Sequence, residues 1–202
     1  DNYRDFALYF QDEDNILGTS FMPYLQNVAG LTGVNYRLEP WTYREDEGCE
    51  LGNMFTACVA ADADPATPTI KAHAGDDVMI NIFGAHNEQN QMFNLDGHQW
   101  RRHLNQENSD MIDVEEFGGG EYIQAFFNAG GTYKNPGTYL YLNARTPYQQ
   151  AGQWGYMKVL PSGDRSILPL GKATVKGVKT ASQPEEVEKS ASKVGDDKLS
   201  MR

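Results

Sequence analysis

The side chains able to do chemistry in this 202-residue chain are few, and three of its four histidines, His86, His98 and His103, fall in one stretch. Three imidazoles brought together would suit copper or zinc. The ordinary reading of His86 and His103 is a pair of surface histidines in loops, and that of His98 a hydrogen-bonded structural residue. Asp96 and His98 are two apart and project from one face if the strand continues through them. They would offer two ligands to a divalent ion, which falls short of a site. Asp12, Glu13 and Asp14, followed by Asn15, place oxygen donors suited to a hard cation such as calcium, without the glycine and distal glutamate of an EF-hand loop. A solvated acidic turn is the plainer reading. His73 carries no signal. There is no G-x-S-x-G, no Gly-rich phosphate loop and no cysteine nucleophile with a partnered histidine, so catalysis without a metal has no candidate residues.

The elements that would position these groups are strands. The run TIKAHAGDDVMINIFGAHNEQNQMFNLDGHQW gives three strand-like segments separated by AGDD and GAHNEQ. Ile70 and Ala72, then Val78, Ile80 and Ile82, alternate with polar or small neighbours, the period of strands with one buried face. EYIQAFFNA, GTYLYLN after a turn at Asn135-Pro136-Gly137, and WGYMKVL add three more, and DFALYF near the start reads as another. Asn35 to Trp41 reads as extended because Pro40 disfavours helix before it. Tyr43 to Cys58 reads as a polar surface excursion, and Arg101 to Glu116 as a long loop. Short strands punctuated by Gly, Pro and Asn predict an all-β, Greek-key β-sandwich or barrel. The expected organisation is N-terminal strands and loops over 1–63, a sandwich core over 64–161 and a tail over 162–202. The tail lacks aromatic residues and is rich in Lys, Ser and Glu, so it cannot close a core of its own. Ser182 with Glu185 forms a capping-box pattern, predicting a helical piece within it.

Four segments carry a resemblance. QMFNLDGHQW resembles the H-x-F-H-L-H-G-H strand of multicopper oxidases, members of the cupredoxin superfamily. TPTIKAHAGDDVMINIFGAH and GGGEYIQAFFNAGG are similar to the strands before and after it. GTYLYLNARTPYQQAGQWGYMKVL is similar to the closing segment Y-x-H-C-H-x-x-x-H-x-x-x-G-[M/L/F]. The resemblance implies a cupredoxin-like fold. It also places the family's copper-ligand positions on Gln91, Asn94, Asp96 and His98 in the first segment. In the closing segment they fall on Leu142, Asn143, Ala144, Tyr148 and Gln153. The position of the thiolate is Asn143, those of the two blue-copper imidazoles are Gln91 and Tyr148, and the axial one is Gln153. A blue-copper site needs soft sulfur and nitrogen donors; of the histidine positions only His98 keeps its imidazole. The expectation is therefore a chain with no catalytic residues and no cofactor of its own, copper entering only if the family's activity is retained elsewhere.

Two cysteines, Cys49 and Cys58, stand nine apart in a polar segment. Bonded, they would close a loop worth roughly 2.7 kcal/mol of chain entropy and imply an oxidising compartment; the alternative is two free thiols. The formal net charge is −11, with nine Lys+Arg against 22 Asp+Glu over residues 1–160. Such a body excludes binding to nucleic-acid phosphates and does not favour an anionic membrane. No apolar run is long enough to span a bilayer. The start at Asp1 reads as a removed leader or as a piece of a longer polypeptide. Together these features predict a copper-free domain that is a structural or interaction subunit of an extracytoplasmic assembly (periplasm, cell surface or secreted), meeting other protein subunits or domains through the 162–202 arm. The alternatives are a non-catalytic domain of a larger multicopper oxidase and a metal-binding module without redox chemistry.

Overall fold

A computed structural model of the chain describes residues 2–12, 32–46, 48–55, 64–87 and 89–171. In chain order they form β1 (Arg4–Asp12), β2 (Thr32–Val34), helix α1 (Trp41–Asp46), β3 (Ile70–His73), β4 (Asp77–His86), β5 (Gln91–Leu95), β6 (Trp100–Arg101), β7 (Met111–Ile112), β8 (Val114–Phe117), β9 (Tyr122–Asn128), β10 (Gly137–Asn143), helix α2 (Thr146–Gln150) and β11 (Trp154–Leu160). Two sheets face each other: a four-stranded one, β2-β1-β4-β9, and a five-stranded one, β3-β11-β10-β5-β8; β6 and β7 form a small ribbon. β1 with β4 and β11 with β3 are parallel, and the other pairs are antiparallel. This is the expected all-β, Greek-key sandwich, of the cupredoxin type.

Alternation along the strands decides the core. Leu8 and Phe10 of β1, Val78, Ile80 and Ile82 of β4, and Ala125 and Phe127 of β9 face Phe93 and Leu95 of β5, Tyr141 of β10, and Met157 and Val159 of β11. Phe10 crosses the gap between the sheets, meeting Phe93 and Phe117 edge-to-face with centroids 6.0 and 5.5 Å apart, the favoured geometry for aromatic rings. Gly155 is required where it stands: a β-carbon there would strike the ring of Tyr141, whose hydroxyl donates to the Pro68 carbonyl at 2.6 Å.

Two segments depart from the sequence reading. The 101–116 stretch, expected as loop, contains β6's end, β7 and most of β8, strands so short that their alternation is lost among polar neighbours. The Tyr43–Cys58 excursion, together with residues 38–40, is not a surface loop throughout: Leu38, Cys49 and Met54 are buried, and Arg44 is completely so. This segment folds over β11, pinned by the polar tips of aromatic side chains. Trp154 Nε1 donates to the Glu39 carbonyl at 2.8 Å, and the Tyr156 hydroxyl to the Phe55 carbonyl at 2.8 Å. Arg44 Cζ lies over the Trp154 ring, 4.7 Å from its centroid, and Arg44 pairs through Nε with Glu39 Oε1 at 3.1 Å. Glu39 Oε2 accepts the Ala66 N–H at 3.0 Å, and Arg44 Nη1 donates to the Met54 carbonyl at 3.1 Å. An ion pair this dry is supported by the further bonds that Glu39 Oε2 and Arg44 Nη1 make to the backbone.

Cys49 is buried and carries no free thiol; Cys58, its expected partner, lies outside the described residues, as do Glu13, Asp14 and the capping-box pattern at Ser182 and Glu185. The beginning of the tail folds back on the first strand. Arg4 Nη2 donates to the Leu168 carbonyl at 2.7 Å, His73 Nε2 contacts the Asp164 carbonyl at 2.8 Å, and Asn2 Nδ2 donates to the Gly171 carbonyl. His73, silent in the sequence, is thus a buried post between β3 and the tail. Among the described residues no helix is long and apolar enough to cross a membrane.

The Glu39–Arg44 pair generates a stability prediction. Glu39→Ala leaves the guanidinium buried without its counter-charge and should cost roughly 3–5 kcal/mol in urea unfolding. Glu39→Leu combined with Arg44→Met should regain most of that loss, and a double variant as unstable as the single one would show that charge burial is not the cause.

Candidate functional site

The positions that the resemblance assigns to blue copper are far apart in sequence and come together at one end of the sandwich. Gln91 opens β5, Asn143 closes β10, Tyr148 lies on α2 and Gln153 immediately precedes β11. Gln91, Asn143 and Gln153 are fully buried, and Tyr148 is nearly so. Their side chains bond to one another. The Asn143 Nδ2 amide donates to Gln91 Oε1 and, at 2.6 Å, to Gln153 Oε1. Asn143 Oδ1 accepts from the Met92 N–H at 3.2 Å and the Arg145 N–H at 3.0 Å. Because a backbone N–H can only donate, these two contacts fix which end of the Asn143 amide is oxygen.

The network continues into the facing sheet. Gln91 Nε2 donates to Asp12 Oδ2 at 2.6 Å and to the Gln89 carbonyl at 3.0 Å. Gln153 Nε2 donates to the Gln11 carbonyl at 2.7 Å. Asp12, read from the sequence as part of a solvated acidic turn or cation site, is instead a buried strand residue accepting from Gln91. The Tyr148 phenol sits against Asp12 and Gln91, with the Arg145 guanidinium 4.8 Å from its ring centroid. Burial and then the Asp12 charge push its pKa up, so it stays protonated.

This donor set does not fit copper. A blue-copper centre takes a thiolate and two imidazoles, whereas the middle of this cluster is the Asn143 NH₂ group, its two hydrogens committed to two amide oxygens. Gln153, at the axial position, has an oxygen of the kind found there, and it is turned to Asn143. Among the described residues, no three His, Cys, Asp or Glu side chains gather to hold a metal.

Of the other ligand positions, Leu142 and Ala144 flank Asn143, whereas Asn94, Asp96 and His98 follow along β5 and beyond its end. Asn94 and Leu142 are direct cross-strand neighbours on the outer face of the five-stranded sheet, and Ala144 is exposed. Asn94 Nδ2 donates to the Asp113 carbonyl at 3.0 Å. The expectation that Asp96 and His98 share a face fails because β5 ends at Leu95 and Gly97 turns the chain with φ of 68°. Asp96 is left exposed while His98 is buried. Partial burial also pushes the Asp96 carboxyl pKa up. His103 is exposed, and His86 is the last residue of β4, its side chain outside the description.

His98 uses both ring nitrogens on the backbone. Nε2 accepts the Gly130 N–H at 3.0 Å, so Nδ1 carries the proton and donates to the Asp96 carbonyl at 2.8 Å. The ring is held edge-to-face by Phe127 and Tyr139, at 4.8 and 4.6 Å between centroids. The one available lone pair, on Nε2, is taken by the Gly130 N–H and is not offered to a metal in this arrangement. Nothing in a single sequence marks Gly130, Phe127 and Tyr139 as its partners, since the fold alone brings them to it.

Burial pulls the His98 pKa below its usual value, opposed in part by the bond to Asp96. The neutral ring is thus preferred in the folded state, and its stabilisation is complete above the unfolded pKa of about 6.5 and is lost as pH falls through the lower folded value. His98→Leu should cost roughly 2–4 kcal/mol at about pH 7, from the stranded Gly130 N–H and Asp96 carbonyl. It should also flatten the decline in urea midpoint between about pH 7 and about pH 5; a variant that keeps the wild-type slope would clear His98 of that role.

No family model and no curated protein sequence matches the chain. Solved structures do. A copper nitrite reductase from Nitrosomonas europaea aligns with a TM-score of 0.52 at 14% identity, over 80% of this chain and 50% of that one. A multi-copper oxidase from Pediococcus acidilactici aligns at 0.52 and 8%, over 85% and 29%. The copper-containing nitrite reductase of Thermus scotoductus aligns at 0.51 and 11%, over 84% and 33%. The chain therefore spans at most half the length of these proteins, and what it shares with them is the cupredoxin-type sandwich fold, without an identifiable metal site among its described residues.

Proposed function

We propose that this chain is a copper-free, multicopper-oxidase-like cupredoxin domain whose role is that of a structural or interaction unit in an extracytoplasmic assembly. The observation that carries the interaction role is the outer face of the four-stranded sheet. An exposed sheet face is normally polar. Here Tyr9, Phe83 and Tyr122 are direct neighbours across β1, β4 and β9. Their rings stack with centroids 4.6 and 4.9 Å apart. Tyr3 and Phe126 meet edge-to-face at 6.1 Å on the same sheet, and Met79 lies between the β1 and β9 neighbours Asp5 and Phe126. Tyr3, Tyr9 and Tyr122 remain 46%, 41% and 48% exposed. Tyr and Met are the residues enriched at protein interfaces. The polar groups among them are Asp5, Asn81 and Gln124, without a cation, which favours a partner protein with an apolar centre and a basic rim. Residues beyond Gly171 are a second proposed point of contact.

A second reading, a non-catalytic domain of a larger multicopper oxidase, is favoured by the length comparison, since this chain covers only 50%, 29% and 33% of the similar structures. The mass of the native polypeptide under denaturing conditions separates the two, near 22.6 kDa for a subunit and far larger for a domain.

Two outcomes test the proposal. Tyr9→Asp with Tyr122→Asp should lower the thermal midpoint by only a few degrees, from the two lost ring pairs with Phe83, yet weaken partner binding at least about 30-fold, the loss of a typical hot spot. Sedimentation of the natively isolated particle reads this, and an unchanged particle would remove the face from the interface. Extracytoplasmic placement rests on a Cys49–Cys58 disulfide: alkylation before reduction should add no mass, and alkylation after reduction should label both thiols.

A further inference from the structure

The misfit between the frame and copper has a positive content. We propose that the Gln91–Asn143–Gln153 cluster is a metal-substituting tie: the amides fill the place where this frame would hold a copper ion, and their hydrogen bonds join the two sheets in its stead. The inference deepens the copper-free half of the proposed function and is independent of the aromatic face.

Three observations support it. Gln91, Asn143 and Gln153 come from three separate points of the sequence and still converge, so the backbone frame has kept its aim while the donors changed. Asn143 has both N–H groups and both lone pairs of its amide engaged, to Gln91, Gln153, Met92 and Arg145. A satisfied buried amide resists displacement, because each group left unpaired bears its full desolvation cost. Finally, the bonds reach across the sandwich. Gln153 donates to the Gln11 carbonyl and Gln91 to the Asp12 carboxylate, both on β1 of the opposite sheet. A metal with ligands from β5, β10 and the α2–β11 loop would tie the strands of one sheet, whereas the amides also tie that sheet to the other.

The experiment has three arms, each on the full chain. First, one equivalent of Cu(II) added to the wild type should leave the side-chain amide NMR signals of Gln91, Asn143 and Gln153 sharp. Paramagnetic loss of those signals would overturn the inference and the copper-free reading together. Second, Asn143→Ala should lower the thermal midpoint by roughly 10 °C, as expected for several stranded partners in a chain of this size. A midpoint within about 2 °C of wild type would show that the cluster ties nothing. Third, Gln91→His with Asn143→Cys and Tyr148→His, keeping Gln153 as the axial oxygen, should bind Cu(II) at least about tenfold more tightly than the wild type. It should also show a strong visible thiolate-to-copper absorption. A folded triple variant without that absorption refutes the retained frame alone. Should the triple variant not fold, Gln91→His with Asn143→Cys is read with Co(II), where absence of thiolate–cobalt absorption has the same force.

Discussion

A buried polar group has to be paired where it sits, and the Asn143 amide is the point on which this sandwich turns. Its four hydrogen bonds fix the end of β10, the start of β5, the entry to α2 and the approach to β11. Through Gln153 and Gln91 they extend to β1 on the other side of the core. Apolar packing between the sheets, led by Phe10 against Phe93 and Phe117, supplies most of the driving force but little orientation. The amides supply direction, since each will accept only a narrow arrangement of donors and acceptors.

The same rule shapes two other places. His98 is kept neutral and oriented by the Gly130 N–H and the Asp96 carbonyl. Arg44 is held over Trp154 by Glu39 and the Met54 carbonyl. In each case one partner comes from a distant segment, Gly130 for His98 and Trp154 for Arg44, so these contacts report more than the folding of one local turn. Similar proteins of known structure include copper oxidases and reductases. Here the positions that the sequence resemblance assigns to copper ligands include Gln91, Asn143 and Gln153, whose amides bond to one another.

With its interior so closed, the chain has its unspent surface on the outside of the four-stranded sheet. Tyr9, Phe83 and Tyr122 form a continuous aromatic row across three strands, set in an acidic body. A face of this kind is suited to contact, and it is the feature that makes an interaction role the coherent reading of a domain with this interior.

Strand periodicity and the turns at Gly and Pro were legible in the residues, because they depend on local pattern; it was the resemblance to a known family that pointed to Gln91, Asn143, Tyr148 and Gln153. WGYMKVL is β11 to the residue, and the alternation of Gln91 to Leu95 is the burial pattern of β5. The strands of the 101–116 stretch were not legible, being two to four residues long. Neither was the burial of Arg44, which the charge of its segment disguised. Sequence by itself determined the fold class and the strands that build it. Only the tertiary structure decided that Gln91, Asn143 and Gln153 bond to one another, that Asp12 joins them from the opposite sheet, and that His98 spends both nitrogens on the backbone. The reason is physical: periodicity is set by neighbours along the chain, whereas the partner of a buried polar group is set by whichever strand the fold lays beside it.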